Sequence, residues 1–276
     1  MSIRRRDFIG SALTVGVAAA QEGTAIRPGD GPVHTHPERT PPERAPKVEK
    51  LFKAPDQHPN ALEAAPDGLW IGDQVSERVF RVDWKTGKVL HEVQTHCHNT
   101  SGVAVGGGFL WLGANGSVSS RRPPRPQDNS NGEVMQADLK TGETLKVHPL
   151  PWPGGIHGMV YVEQTGTLWI TALGLRALAE VSPKDFRILR MIPLHYERAH
   201  GIDWDNGAIW CLFASDHLVQ KLDAKTGKVL ETIKFSNSDP DPHGMCIHEG
   251  YMYFCDAGLT ATTSGSAPGY ICRFKL

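Results

Sequence analysis

Five times along the chain a glycine turn leads into a short apolar run with one aromatic residue: DGLWIG at 67–72, GFLWLG at 108–113, GTLWIT at 166–171, GAIWCL at 207–212 and GYMYFC at 250–255. The aromatics Trp70, Trp111, Trp169, Trp210 and Tyr253 are spaced 41, 58, 41 and 43 residues apart. Such a period constrains the fold strongly, because a unit too small to bury its own apolar face must stack on copies of itself. The long step contains SVSSRRPPRPQDNSNG at 117–132, which is polar, proline-rich and flanked by strand-like runs. It reads as an insertion in a surface loop of the second unit.

Behind each aromatic run comes a second alternating run, as in RVFRVDWKTGKVLHEV and HLVQKLDAKTGKVLETIKF. Thr-Gly at 86–87, 141–142 and 226–227 supplies a hairpin turn in three copies, and SPKDF at 182–186 takes its place in the fourth. Each unit therefore offers four short strands and no helix, the pattern of a β-propeller blade. The fifth unit stops after GYICRFKL, one strand short, and KVEKLFKA at 47–54 matches the missing type. The expectation is an all-β, five-bladed β-propeller over 47–276, its ring closed by an N-terminal strand that completes the last blade and removes open edges.

The segments ahead of the repeats read differently. Residues 1–20, MSIRRRDFIGSALTVGVAAA, join an arginine cluster to a short apolar run ending in small residues. That is an export signal, too short to span a bilayer. Arg5-Arg6-Asp7-Phe8-Ile9 resembles the twin-arginine signal, which implies export of a folded protein, with the periplasm as destination. Residues 21–46, rich in proline and charge, read as a linker or extended arm, and His34 and His36 within it as a solvated pair. A formal net charge of −1 gives no basic field for nucleic acid or, once the signal is removed, for a membrane surface. Five cysteines without a CxxC pair are not a disulfide or zinc-finger framework. Only Cys97, beside His98, stands near a candidate site.

Histidine recurs at one place in the repeat. His200-Gly201 and His243-Gly244 lie ten residues before Trp210 and Tyr253, and His157-Gly158 lies twelve before Trp169. In the second unit Ser101-Gly102 takes the position, with His98 three residues upstream; in the first, Asn60-Ala61 does, with His58 two upstream. These are the crossings from the outer strand of one blade to the inner strand of the next, at a mouth of the central channel. Rotational symmetry thus gathers His98, His157, His200 and His243, with His58 as a fifth candidate. A repeat also copies structural devices, so His-Gly could serve only to start a strand. Several imidazoles packed together repel if protonated and need partners if neutral, and a bound metal satisfies them all. The expected cofactor is a divalent transition metal, with Fe, Zn, Cu and Mn left open; an all-imidazole set disfavours Ca or Mg.

Loops on the same face carry Asp73, Arg78, Arg121, Arg122, Arg176, Asp216, His217 and Asp256, while His195, Tyr196 and Glu197 precede His200. Asp73, Arg78, Arg176, Asp216, His217 and Asp256 are candidates to touch the substrate or support the site, His195, Tyr196 and Glu197 to line the rim and supply an acid or base, and His195, Tyr196, Arg78 and Arg176 are the catalytic candidates.

The unit DGLWIG…RVFRVDWKTGKVLHEV resembles the repeat of streptogramin (virginiamycin B) lyases and related NHL or SMP-30-type propellers over residues 58–276. That resemblance implies the fold, and in those lyases a magnesium ion and a histidine base; the His-Gly pairs at 157, 200 and 243 replace the family's Pro-x-Gly-type strand start. The segment GAIWCLFASDHLVQKLDAKTGKVL is similar to the five-bladed glutaminyl cyclases of plant and bacterial type, whose strands start with Gln-Gly or Glu-Gly where this chain has His-Gly. The acidic residue of that family is not in place. Carotenoid-cleaving oxygenases, with iron on four histidines of a propeller, offer an analogy of arrangement. The reading is an exported metal-dependent enzyme acting on a small organic substrate by lyase or hydrolase chemistry. A non-haem iron oxygenase and a non-catalytic periplasmic binding or scaffold protein are its alternatives.

Overall fold

In the computed structural model the described residues are 41–116, 123–126, 128–256 and 269–276. Two strands precede the repeats: β1 (Glu43–Arg44) and β2 (Glu49–Lys53). Blade 1 comprises β3 (Pro59–Ala65), β4 (Gly68–Asp73), β5 (Arg78–Val82) and β6 (Val89–Gln94). Blade 2 comprises β7 (Thr100–Gly106), β8 (Phe109–Ala114), β9 (Glu133–Asp138) and β10 (Thr144–Pro149). Blade 3 contains β11 (Met159–Val162), β12 (Thr167–Ala172), β13 (Ala177–Val181) and β14 (Ile188–Pro193), with a 3₁₀ turn at Leu173–Leu175. Blade 4 contains β15 (Ala199–Asp205), β16 (Ala208–Phe213), β17 (Leu218–Asp223) and β18 (Val229–Lys234). Blade 5 is β19 (Pro242–His248), β20 (Tyr251–Asp256) and β21 (Tyr270–Lys275), completed by β2, which pairs antiparallel with β21. The molecule is a five-bladed β-propeller, closed as the repeat demanded.

One pairing lies in the stretch expected to be linker. β1 runs parallel to β18 on the outer edge of blade 4, Glu43 opposite Thr232, and Arg44 pairs with Glu231 at 2.7 Å. A two-residue strand flanked by prolines leaves no periodic trace in a sequence.

The hairpin turns form for a specific reason. In DWKTG the Asp83 carboxylate accepts bonds from the Lys85 and Thr86 amides and from the Thr86 hydroxyl, and Gly87 closes the turn at φ +69°. Asp138 with Gly142 and Asp223 with Gly227 repeat it. In blade 3 Phe186 holds the glycine position at φ 58°, its ring buried against His148 at 4.6 Å. Packing there supports a backbone conformation that bulky residues disfavour.

The core lies between blades. Each of five apolar clusters joins two neighbours: Trp70 of blade 1 packs with Leu112 and Met135 of blade 2, and Trp169 of blade 3 with Ile209 and Phe213 of blade 4. The cluster that closes the ring sets Cys246, Tyr253 and Ile271 of blade 5 against Leu62, Leu69 and Phe80 of blade 1. With each large side chain contributing about 1.5–3 kcal/mol on burial, these seams are what hold the blades together.

Candidate active site at the axial mouth

At the start of the inner strand the ladder slips in four of the five blades. Pro59 pairs with Asp73 but Ala61 with Gly72; Thr100 with Ala114 but Gly102 with Gly113; Ala199 with Phe213 but Ile202 with Cys211; Pro242 with Asp256 but Met245 with Phe254. Such bulges re-aim the side chains they contain. The residues at these irregularities are Asn60, Ser101, His200 and His243, and His157 takes the matching place just before β11.

The glycine after each histidine has a separate function. A Cβ on Gly158 would stand 2.0 Å from the His200 carbonyl oxygen, on Gly201 2.3 Å from the Met245 amide nitrogen, and on Gly244 2.6 Å from the Ala61 Cα. Glycine therefore lets neighbouring inner strands approach backbone to backbone. The axis beneath is nearly filled: the cavity bordered by Ala61, Ser101, His157 and Gly201 measures about 10 Å³, room for one water at most.

Three of the expected imidazoles meet. The His157 and His200 ring centroids are 4.2 Å apart, and those of His200 and His243 4.5 Å. All three residues are buried. Asn60 and Ser101 complete the ring from blades 1 and 2, joined by an Asn60 Nδ2 to Ser101 Oγ bond of 2.9 Å. Burial, with lesser contributions from Arg198 and His243, lowers the His157 pKa to about 3. Burial likewise pushes His200 well below its ordinary value, His157, His243 and Arg198 adding to it. Both rings are neutral at pH 7. Nδ1 of His157 and Nδ1 of His200 are buried and take no hydrogen bond from the described residues. His243 is oriented from behind: its Nδ1 lies 3.3 Å from the Asp241 carbonyl and 3.8 Å from the Asp241 carboxylate, which also stands 3.8 Å from His217 Nε2.

Neutral imidazole with a free ring nitrogen is the donor a transition metal requires. In the packing seen here, however, no three His, Cys, Asp or Glu side chains among the described residues are arranged to hold an ion.

His98 is turned to other partners. Its Nε2 accepts the Asn129 amide at 3.2 Å and its Nδ1 lies 3.9 Å from Glu133. Tyr196 packs half-buried on Phe213 at 5.1 Å, and His195 is exposed. Arg78 pairs with Glu92 at 3.2 Å and Arg176 pairs with Glu197, both with exposed side chains. Asp73 is buried and organises its own loop, accepting the amides of His58, Val75 and Ser76. Cys97 is buried, its thiol pushed up to about 12 by desolvation, which leaves no thiolate for chemistry. All five cysteines are free and buried. Residues Arg121, Arg122, His34 and His36 and the export signal lie outside the described residues.

Sequence reasoning passed over Asp241 and Arg198. Asp241 had a signal, standing two residues before a ring histidine; nothing in the sequence marked Arg198 apart from its nearness to His200.

Comparison with known proteins bears on the architecture. No protein-family model and no curated protein matches the chain. Among solved structures, the glutaminyl cyclase of Myxococcus xanthus aligns over 86% of this chain and 100% of its own, with a TM-score of 0.61 and 13% identity. The chain shares the fold of that cyclase. A streptogramin B lyase aligns over 83% of this chain and 87% of its own, with a TM-score of 0.48 and 16% identity. The virginiamycin B lyase of Staphylococcus aureus aligns over 80% and 67%, with a TM-score of 0.47 and 17% identity. All three are structures of propeller enzymes, and with the glutaminyl cyclase the likeness is one of fold.

Proposed function

We propose that the chain is an exported propeller enzyme whose reaction centre is the mouth formed by His157, His200 and His243, acting on a small organic substrate by lyase or hydrolase chemistry with a divalent transition metal. The observation behind this reading is the contact of three buried imidazoles from three successive blades, two of them kept neutral by burial. A structural core would place apolar residues there. A metal would need the three rings to turn their nitrogens toward one point, away from the present packing; held there, it would polarise a substrate oxygen or lower the pKa of a bound water. The surrounding chain supplies orientation: Asp241 fixes the ring of His243, and Ser101 and Asn60 offer hydrogen bonds from the opposite side of the mouth.

Metal analysis of protein purified without a polyhistidine tag is the test. Stoichiometric zinc or manganese supports lyase or hydrolase chemistry, and iron supports an oxygenase. His200→Ala should lower the metal content while the far-ultraviolet circular dichroism stays unchanged; full metal content in that variant overturns the assignment.

A second reading needs no metal. Because no three donors among the described residues converge in the present packing while Asp241 already orients His243, His243 can serve alone as the general base. Metal-free protein that turns over substrate, and loses activity in His243→Gln, would select it.

A further inference from the structure

The repeat seats a cation against the aromatic of each blade except one. Arg81 pairs across from Trp70, Lys221 from Trp210 and Arg273 from Tyr253, their charged groups 5.7, 5.3 and 6.0 Å from the ring centroids. In blade 3 Glu180 holds that place, and its outer-strand partner Arg190 reaches to 5.5 Å from Trp169. Every one of these cations has a carboxylate: Asp67 for Arg81, Glu180 for Arg190 at 3.0 Å, Asp205 for Lys221 at 2.7 Å, and Glu49 for Arg273 at 3.1 Å. Aromatic, cation and carboxylate form a three-part seal.

Blade 2 departs from this at each part. Gln136 stands opposite Trp111, and Lys146, in the place of Arg190, turns its Nζ to the Lys184 carbonyl at 3.0 Å. The turn before β8 is Gly106-Gly107-Gly108, where blades 1 and 4 carry Asp67 and Asp205. Among the described residues neither Lys146 nor Lys184 has an ion-pair partner. The nearby Glu163 carboxylate accepts the Gly107 amide at 3.0 Å. Where the other blades are sealed, a cavity of about 340 Å³ opens, walled by Phe109, Trp111 and Tyr161 and rimmed by the two lysines. That volume lies at the small end of ligand sites.

We propose that this cavity binds a small planar carboxylate, whose ring lies along Phe109 and Tyr161 and whose carboxylate engages Lys146, so that the ligand supplies the part of the seal that blade 2 lacks. Three aromatic walls select a flat apolar body. Two unpaired ammonium groups select a negative end. The site owes nothing to the histidine mouth and stands whether or not that mouth is catalytic.

The test is titration of the full chain with benzoate, followed by ligand-observed NMR, with benzamide as the neutral isostere. Saturable benzoate binding is expected, with benzamide weaker by about tenfold and Lys146→Gln, an exposed substitution, weakening benzoate by about tenfold. Gln136→Arg, which restores the cation found in blades 1 and 5, should fill the cavity and abolish binding. His200→Ala should leave it unchanged. The proposal is overturned by absence of saturation, by benzamide binding as tightly as benzoate, by Gln136→Arg without effect, or by loss of binding in His200→Ala, which would place the ligand at the mouth instead.

Discussion

His200 and Asp203 lie three residues apart on β15, and around them the same burial has opposite effects on protonation. At the mouth it keeps His157 and His200 deprotonated. Further along the inner strands it raises Asp203 to about 7, with desolvation outweighing the Ile247 and Trp204 amides that hold its carboxylate at 2.5 and 2.6 Å. Glu63, at the matching place on β3, is also raised well above its ordinary value, by desolvation first and by the charge of Asp203 second. Asp203 is enclosed around its carboxyl while part of the residue stays open to water, whereas Glu63 is buried. Bases lose their proton and acids keep theirs, so the axis tends toward neutrality at both levels. Desolvation governs it more than the pairing of charges.

The most severe way to break this comparison is to part the strands that carry both levels. Gly158→Ala puts a methyl group against the His200 carbonyl, and we expect a loss of about 3 kcal/mol, a fall of roughly 6–12 °C in the thermal midpoint by calorimetry. Asp203→Asn attacks one level alone. An amide cannot accept from both Ile247 and Trp204 as the carboxyl does, and urea unfolding at pH 5 should show a loss of about 1–3 kcal/mol.

The pH dependence sharpens the contrast. Asp203 keeps its proton in the folded chain after an ordinary carboxyl near 4 has lost its own, so the stability it contributes falls as pH rises from about 4 through 7. His157, with a folded pKa of about 3 against about 6.5 unfolded, contributes stability that is full above 6.5 and lost as pH falls toward 3. The two oppose each other between about pH 4 and 6.5. In metal-free protein, His157→Gln should therefore make stability decline with pH more steeply across that window, by up to about 1.4 kcal/mol per pH unit in urea titrations. The smallest effect is expected from His98→Gln. The bond from the Asn129 amide and the longer contact of Nδ1 with Glu133 are at stake, so about 1 kcal/mol should be lost and the metal content should match that of the wild type.

How much of this could be read from sequence follows from what repeats. The blade count, the four-strand unit and the closing strand were all written in the spacing of Trp70 to Tyr253 and in KVEKLFKA, because each copy must bury the same seam. The meeting of His157, His200 and His243 was legible for the same reason, since register in the repeat is register around the axis. Departures from symmetry were not. His98 sits three residues off the ring position, beside the insertion that brings Asn129 to its Nε2, and no periodicity reports where a loop returns. Arg78 and Arg176 were read as site residues from their loops, yet each is engaged by a carboxylate that pattern alone could not assign, Glu92 and Glu197. The histidine–glycine pair itself combined two roles that one letter string cannot separate: the imidazole faces the axis, and the glycine admits the neighbouring backbone.

Blade 5 takes three strands from one end of the chain and the fourth, β2, from the other, while β1 grips blade 4 on the way. On a ribosome, the segment that forms β2 is made long before its partner β21. It must wait unpaired through the synthesis of four whole blades, so the ring can lock only after translation has passed Lys275. The chain thereby has an interval in which it is nearly assembled yet still open along one seam.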